Sequence, residues 1–269
     1  LLFDLNNMQL DRSGDGFKNY FAFAYQYNHG DFSWFTGMQY PYGDLLSYAD
    51  GQPALLILFK FLKSIGINIS GNELFVIQSL PILGLFIAAI FLHKIMQKLN
   101  QPLFWTIATI IACLALSPQL FRFNSHFGLA YAFCFPSILF LCLKNNYKEI
   151  SNVLFVPITA FTILFYGFLH PYHLLICSIF LIGLFGVNIL YKRFDWQYLL
   201  AGIIPVALFL IINGQLDPYL DRTINPWGAW HYKTEIADLL PFHGWFKNIF
   251  GGIIPLRNDY FEGYVYLGI

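Results

Sequence analysis

The chain has 269 residues, of which 57% are hydrophobic and 20% aromatic, while only 11% are charged. A soluble domain of this length carries roughly 25% charged residues, so the composition excludes an ordinary soluble domain and indicates a polytopic membrane protein. The formal net charge is zero, and no nucleic-acid partner is predicted. All four cysteines lie in apolar stretches without metal-type spacing, which predicts neither a disulfide framework nor a zinc site.

Residues 1–73 are predicted to form an outer loop that is rich in aromatic residues. Aromatic residues recur at steps of three and four across 14–27, which predicts a helix there. A second amphipathic helix is predicted for 53–67, where Pro53 lies near the start and Lys60 lies inside. This helix is short for a span and charged, so we expect it to lie along the membrane interface.

The part of the chain from 74 to 213 is predicted to be a bundle of six transmembrane spans. Each apolar stretch is roughly long enough to cross about 30 Å of hydrocarbon. The spans are placed near 74–93, 103–120, 127–143, 151–169, 173–191 and 197–213. Residues 214–262 are predicted to be a second outer loop. Residues 263–269 are predicted to start a further span, and we interpret the chain as a fragment of a longer protein.

Charge is distributed unevenly between the two sets of connectors. The connectors predicted to be inner hold six Lys or Arg residues against two carboxylates, and all other segments hold nine against thirteen. Short basic loops stay in the cytoplasm, so this pattern predicts that both outer loops face away from it. The six basic residues are Lys94, Lys98, Lys144, Lys148, Lys192 and Arg193.

The first candidate site lies at the start of the first predicted helix. Asp15 stands between two glycines and is followed by Lys18 and Asn19. An accessible carboxylate near the membrane surface can act as a general base on a hydroxyl group, or help to hold a divalent cation. The alternative is that Asp15 only caps a helix that starts at Gly16.

A second candidate site lies in the aromatic part of the first loop. Asp44 and Asp50 stand among tyrosines just before the second predicted helix. Aromatic walls with a few polar groups suit a sugar ligand. The alternative is a turn-rich interfacial loop, because tyrosine favours the headgroup level. Any metal requirement is left open; Asp15 and Asp44 are the candidate ligands for a divalent cation such as Mg²⁺ or Mn²⁺.

Two outer connectors carry further candidate binding residues. Arg122 and His126 could grip a phosphate at the bilayer surface, or they could merely cap helix ends and snorkel. His170 and Tyr172 are predicted to form a polar hairpin tip that lines an outer cavity. His170 and His173 could bind a metal if the turn between them were helical, which Pro171 disfavours.

The start of the second outer loop carries the last two candidates, Asp217 and Arg222. They offer a carboxylate and a guanidinium beside a tryptophan, where a ligand could bind. The alternative is an ion pair within the loop.

The chain begins with an outer loop that has an acidic start, continues with a helix along the membrane, and then forms a series of spans with short loops. This order resembles the GT-C superfamily of polytopic membrane glycosyltransferases. Residues 14–19 are similar to the acidic start of the superfamily's first outer loop. The stretch from Gly51 to Leu56 resembles the site at which protein mannosyltransferase-like members carry His-Pro-Pro-Leu. This chain has Gln52-Pro53 there, so a role tied to that histidine is not carried over. Residues 124–129, 170–172 and 262–268 also look like the YfhO-like branch of bacterial membrane proteins.

The resemblance implies an all-α, GT-C-like bundle and an inverting sugar transfer at the extracytoplasmic face of the bacterial inner membrane. The implied donor is a polyprenyl-phosphate sugar, and the acceptor is a glycan, a lipid or a protein. Asp15 would be the general base. The alternatives are a transporter or flippase for a lipid or polysaccharide, and a non-catalytic assembly subunit. Membrane lipids are expected partners in each case.

Overall fold

Helices form most of the described chain in the computed structural model, which describes residues 14–31, 33–38, 43–49, 51–124 and 126–218. The chain divides into two units, Leu1–Pro218 and Tyr219–Ile269, and every described residue belongs to the first. The predicted further span at 263–269 and most of the second outer loop therefore lie outside the described residues.

The first helix, α1, spans Gly14–Asn28 and confirms the helix predicted for 14–27. Tyr20, Phe23 and Tyr27 recur along one face and are buried, as expected of an amphipathic helix whose apolar stripe meets a core. Asp15 is the second residue of α1. The helix thus begins two residues before Gly16, and whether the Asp15 side chain caps it stays a prediction.

A short hairpin follows, in which two strands of two residues each, β1 (Trp34–Phe35) and β2 (Asp44–Leu45), pair in antiparallel fashion. The Phe35 ring lies 5.9 Å from the Phe21 ring and 5.7 Å from the Tyr25 ring, measured between centroids. The hairpin thus packs on the side of α1 that carries Phe21 and Tyr25.

The second helix, α2, spans Pro53–Ser64 and confirms the second predicted helix, although it ends three residues before Ile67. Pro53 occupies the first turn, where its missing N–H needs no partner. Only this first turn is buried, and Phe61 and Ile65 beyond it are exposed. Such a helix can lie along a membrane surface, and its position at the interface stays a prediction.

Six further helices form the bundle. Four described segments are long and apolar enough to cross a membrane, namely Glu73–Lys98, Phe127–Asn146, Pro171–Leu190 and Trp196–Leu216. The six helices are α3 (Glu73–Lys98), α4 (Leu103–Ala115), α5 (Cys134–Asn146), α6 (Asn152–Gly167), α7 (Pro171–Leu190) and α8 (Trp196–Leu216).

Two of the six predicted spans, α4 and α6, lie outside these four long segments. At 1.5 Å per residue, α4 is about 20 Å long and α6 about 24 Å long, against about 30 Å of hydrocarbon. The span predicted for 103–120 ends early, because a residue that precedes proline disfavours helical geometry and Pro118 follows Ser117. Whether these two helices cross the membrane stays a prediction.

The span predicted for 127–143 also begins differently. Two 3₁₀ helices, Pro118–Asn124 and Phe127–Leu129, fill the connector, and the α-helix begins only at Cys134. Pro136 is its third residue, a position at which no intrahelical N–H bond is required. The connector between α4 and α5 is therefore longer than the sequence pattern predicts.

The basic connectors meet at one end of the bundle. Lys98, the last residue of α3, forms an ion pair with Glu149 between α5 and α6. Gln197 at the start of α8 donates to Asn145 near the end of α5, at 3.5 Å. We call this the basic end. Alternate connectors do converge as the charge pattern predicts, while the side of the membrane that they face stays a prediction.

Close packing holds α6, α7 and α8 together. A β-carbon added at Gly202 of α8 would lie 3.0 Å from the Ser178 carbonyl oxygen, and one at Gly167 would lie 3.1 Å from the Leu174 Cβ. Small residues let membrane helices approach in this way. Three of the four cysteines are buried free thiols, namely Cys134 and Cys142 of α5 and Cys177 of α7.

Candidate functional site

Buried polar side chains gather at the end of the bundle opposite the basic end. They come from the residue before α2, from α3, from the residues before α5 and from the start of α7. We call these residues the polar cluster: Gln52, Gln78, Tyr131, His170 and His173.

Gln52 is the most unusual member of the polar cluster. Its φ of 51° and ψ of 63° lie in the left-handed region, which a non-glycine residue occupies at a cost of about 1–3 kcal/mol. The side chain is 1% exposed. Its Oε1 accepts a 2.7 Å hydrogen bond from the Tyr131 hydroxyl group. Its Nε2 is buried and has no hydrogen-bond partner among the described residues. A strained backbone and an orphaned buried donor together suggest a ligand contact.

Helix α1 is anchored to the polar cluster by Tyr20. The Tyr20 hydroxyl group donates a 2.9 Å hydrogen bond to Gln78 Oε1, and the Gln78 amide donates to the Leu74 carbonyl at 3.1 Å. The Tyr20 ring lies 5.1 Å from the Phe127 ring, between centroids. These contacts fix the rotation of α1 against α3 and against the second 3₁₀ helix.

The two histidines of the polar cluster have separate partners. His170 caps α7, because its Nδ1 accepts from the Tyr172 backbone N–H at 3.2 Å. His173 Nε2 lies 3.0 Å from the Gly128 carbonyl oxygen, which can only accept, so the nitrogen donates. A β-carbon at Gly128 would lie 2.9 Å from the Leu169 carbonyl oxygen. The close approach of these two backbones therefore requires glycine.

The metal alternative for His170 and His173 finds no support in these contacts. Pro171 begins α7 rather than disfavouring a helix, so the expectation that it argues against a helical turn is wrong. Nevertheless, no group of three or more His, Cys, Asp or Glu residues with metal-binding geometry occurs in the described part of the chain. The two rings lie 6.4 Å apart between centroids.

Three of the predicted residues, Asp15, Lys18 and Asn19, lie on α1. Asn19 is fully buried and follows Asp15 by one helical turn, so both positions share a face. Lys18 is half-buried, and it precedes Phe21 by three residues, so its position shares the side of α1 that faces the hairpin. The side chain of Asp15 lies outside the described residues, although its backbone position in α1 is described.

Arg122 and His126 lie next to the polar cluster along the chain. The His126 N–H donates to the Arg122 carbonyl oxygen at 2.9 Å, so one turn brings the two residues to the same short segment. Both are half-buried. His126 directly precedes Phe127 and Gly128, which contact Tyr20 and His173. Binding of a phosphate by Arg122 and His126 stays a prediction.

Among the acidic candidates before α2, the structure describes the side chain of Asp44. Asp44 lies in β2, and its Oδ1 accepts from the Leu45 N–H at 2.8 Å. The hairpin packs on the Phe21 side of α1, so Asp44 is separated from Gln78 by the helix. Because the Asp15 side chain lies outside the described residues, the pairing of Asp15 and Asp44 as metal ligands stays a prediction.

The remaining candidates lie at the ends of helices or beyond the described part of the chain. Tyr172 is 58% exposed, and its ring packs against the His170 ring with centroids 4.9 Å apart. His170 itself is buried, so only Tyr172 presents its ring at the predicted hairpin tip. Asp217 follows α8 and donates its N–H to the Asn213 carbonyl at 2.9 Å. Asp50 and Arg222 lie outside the described residues.

Three residues of the polar cluster, Gln52, Gln78 and Tyr131, were not among the predicted binding residues, and His173 was predicted only as a possible metal ligand. Each is a polar residue within or beside an apolar stretch, near a predicted outer connector. That position is a usable signal, because polar groups at membrane depth are costly and often functional. Their pairing could not be derived, since Gln52 and Tyr131 are 79 residues apart.

Comparison with known proteins identifies the family of the chain. The model of the family described as "Domain of unknown function (DUF6311)" matches residues 2–269, so the chain belongs to this family. Among curated proteins and among solved structures, nothing matches the chain.

Proposed function

We propose that this member of the DUF6311 family is a membrane glycosyltransferase that takes a sugar from a polyprenyl-phosphate donor. The observation that carries the proposal is the anchoring of α1. Tyr20 binds Gln78 and packs on Phe127, which anchors α1 against the polar cluster and supports the proposal that Asp15, in the first turn of α1, acts at the rim of that cluster.

The proposed site combines three kinds of groups around one end of the bundle. Arg122 and His126 would hold the donor phosphate by charge-assisted hydrogen bonds. The buried Gln52 Nε2 would donate to a sugar hydroxyl or to the phosphate. Tyr172, exposed beside His170, would offer an aromatic wall for the sugar. The polyprenyl tail would stay in the bilayer beside the spans.

The proposed chemistry is an in-line displacement at the anomeric carbon. Asp15 takes the proton of the acceptor hydroxyl group as its oxygen bonds to the anomeric carbon. The bond between that carbon and the phosphate oxygen breaks, and polyprenyl phosphate leaves with the bonding electron pair. The positive charge that develops on the sugar resembles the transition state of glycoside hydrolysis. Attack from the opposite face inverts the anomeric configuration.

No step of this mechanism is assigned to a metal. The family resemblance leaves a divalent cation open, but the described residues do not assemble a carboxylate set for one. Asp44 already accepts from the Leu45 N–H and lies on the hairpin side of α1.

The test is turnover of a defined donor. Membrane vesicles that contain the full chain are incubated with radiolabelled undecaprenyl-phosphate mannose or glucose, and sugar release from the lipid is measured. We expect Asp15→Asn to reduce turnover by about 10²-fold or more, the range for loss of a general base. Asp31→Asn is the matched control, because it removes an exposed carboxylate beyond the other end of α1.

Two outcomes would contradict the proposal. Normal turnover by Asp15→Asn would remove Asp15 from the role of base. Movement of the intact lipid-linked sugar across the vesicle membrane, without cleavage of the sugar–phosphate bond, would favour the transporter instead. The absence of Asp, Glu, Lys and Arg from α6, α7 and α8 disfavours an ion-coupled route through these helices.

A further inference from the structure

A pocket opens between α3 and α5 at the basic end, far from the polar cluster. Its volume is about 540 Å³, enough for a phosphate with its substituents. Both helices end here, at Lys98 and Asn146. The charged residues of its lining are Lys94, Lys98, Lys144 and Glu149.

The charges around this pocket do not cancel. Three lysines face one carboxylate, and that carboxylate, Glu149, forms its ion pair with Lys98. Two positive charges, on Lys94 and Lys144, remain. The ends of α3 and α5 each contribute about half a negative charge from the helix dipole. About one positive charge is therefore left in the pocket, which matches a phosphodiester.

The two remaining ammonium groups converge on a single ring. Lys94 Nζ lies 5.7 Å from the centroid of Phe140, and Lys144 Nζ lies 5.9 Å from it. A lysine in the last turn of a helix often just stabilises the helix end, which accounts for Lys98 and Lys144. Lys94 lies a turn earlier in α3 and is not explained in this way. An anion between Lys94 and Lys144 would relieve their mutual repulsion.

The position of the pocket fits a ligand at the level of the lipid headgroups. Lys98 Nζ lies 5.6 Å from the centroid of Tyr147, which is itself exposed, as is Leu99 next to Lys98. Exposed aromatic residues at the end of a span are typical of the membrane interface. Gln97 and Asn100 add neutral amide donors to the lining.

We propose that this pocket binds a phosphate-bearing anion, for which the phosphodiester of an anionic lipid headgroup and a soluble phosphate are the two sources. Basic pockets between membrane helices bind lipid phosphates in this way. The site is independent of the proposed sugar transfer, because it shares no residue with the polar cluster.

The test measures binding by the purified full chain in a non-ionic detergent. Dioctanoyl-phosphatidylglycerol, dioctanoyl-phosphatidylcholine, glycerol 3-phosphate and inorganic phosphate are titrated separately and followed by native mass spectrometry. A lipid site predicts that the phosphatidylglycerol binds and that the two soluble phosphates bind far more weakly. A site for soluble phosphate predicts that glycerol 3-phosphate or inorganic phosphate binds at least as tightly as the lipid.

Charge-removing variants locate the site. Lys94→Gln with Lys144→Gln is expected to weaken binding roughly 30-fold, from about 1 kcal/mol for each lysine near a bound anion. Lys148→Gln with Lys192→Gln is the matched control, because it removes two positive charges from the same end outside the pocket. Glu149→Gln is expected to tighten binding roughly 5-fold, since it frees Lys98.

These outcomes distinguish a defined binding site in the pocket from a general attraction of anions to the basic end. Equal losses in the two double variants would overturn the proposal, and so would the absence of binding by every phosphate compound. The Glu149→Gln variant keeps the test valid if the lysine variant fails to fold, because tighter binding requires a folded pocket. Unchanged binding in a folded Glu149→Gln protein would also count against the site.

Discussion

The Gln52 amide should be nearly neutral for folding and important for function. Removing it has two opposite effects on the free energy of unfolding. The Tyr131 hydroxyl group loses its acceptor, which costs about 1–3 kcal/mol when the group is buried. The buried Nε2, which has no hydrogen-bond partner among the described residues, is removed as well, and this raises the free energy of unfolding by a similar amount. We therefore expect Gln52→Leu to remain within about 1 kcal/mol of the natural chain.

Tyr131→Phe should behave differently. It leaves Gln52 Oε1 buried without its donor and removes no other unpaired group, so we expect the free energy of unfolding to fall by about 1–3 kcal/mol. Combining Tyr131→Phe with Gln52→Leu replaces both partners by apolar groups. The double variant should therefore be more stable than Tyr131→Phe alone by roughly 2–6 kcal/mol, because it removes both the unpaired Oε1 and the orphaned Nε2, at about 1–3 kcal/mol each.

The free energy of unfolding can be measured by SDS titration in mixed micelles, with tryptophan fluorescence as the signal. Tyr166→Phe is the matched control, because its hydroxyl group lies 2.6 Å from that of Ser137 in another buried pair. Tyr166→Phe should lower stability without specifically affecting donor turnover, whereas Gln52→Leu should lower turnover at nearly unchanged stability. A loss above about 2 kcal/mol in Gln52→Leu would refute the reasoning, since the amide would then be structural.

Two further predictions concern packing and charge. Gly128→Ala should destabilise the chain by about 1–3 kcal/mol, because the new β-carbon would lie 2.9 Å from the Leu169 carbonyl oxygen. Gly183→Ala is the control, because its new β-carbon meets open space in the middle of α7, and it should be neutral or stabilise the chain by up to about 1 kcal/mol. A similar loss of stability in the two variants would contradict the close contact at Gly128. Burial lowers the pKa of Lys60, against the opposing effect of Asp31, so the protonated form costs stability in the folded state. The free energy of unfolding should therefore rise as the pH increases from the lowered pKa of Lys60 in the folded state to about 10.4, its pKa in the unfolded state. Lys60→Met should abolish this rise, which SDS titrations at several pH values can measure.

The sequence predicts local features of this fold well, because they depend on nearby residues. The three- and four-residue spacing of aromatic residues predicts α1, and Pro53 correctly predicts the start of α2. The basic connectors predict which helix ends meet, as the Lys98–Glu149 ion pair confirms. The early end of α4 could have been predicted from Pro118.

The candidate site could be predicted only in part, because its contacts join distant segments. Gln52 stands where a histidine would be expected from the family resemblance, yet its left-handed backbone and its bond to Tyr131 become visible only in the folded chain. The pairing of Tyr20 with Gln78 depends on how α1 rotates against α3. A pattern of residue types does not determine such a rotation, since several apolar faces of similar size could pack.

The polar cluster and the basic pocket lie at opposite ends of the same helix. Gln78 and Lys94 are both in α3 and are separated by sixteen residues, or about 24 Å along the helix axis. A phosphate held by Lys94 and Lys144 therefore cannot be the donor phosphate of a reaction at Asp15. Removing both lysines should weaken anion binding and leave donor turnover within about two-fold, a small change compared with the loss of a general base. Parallel loss of binding and turnover in a folded lysine variant would show that the two ends are coupled, and the assignment of separate roles would then be wrong.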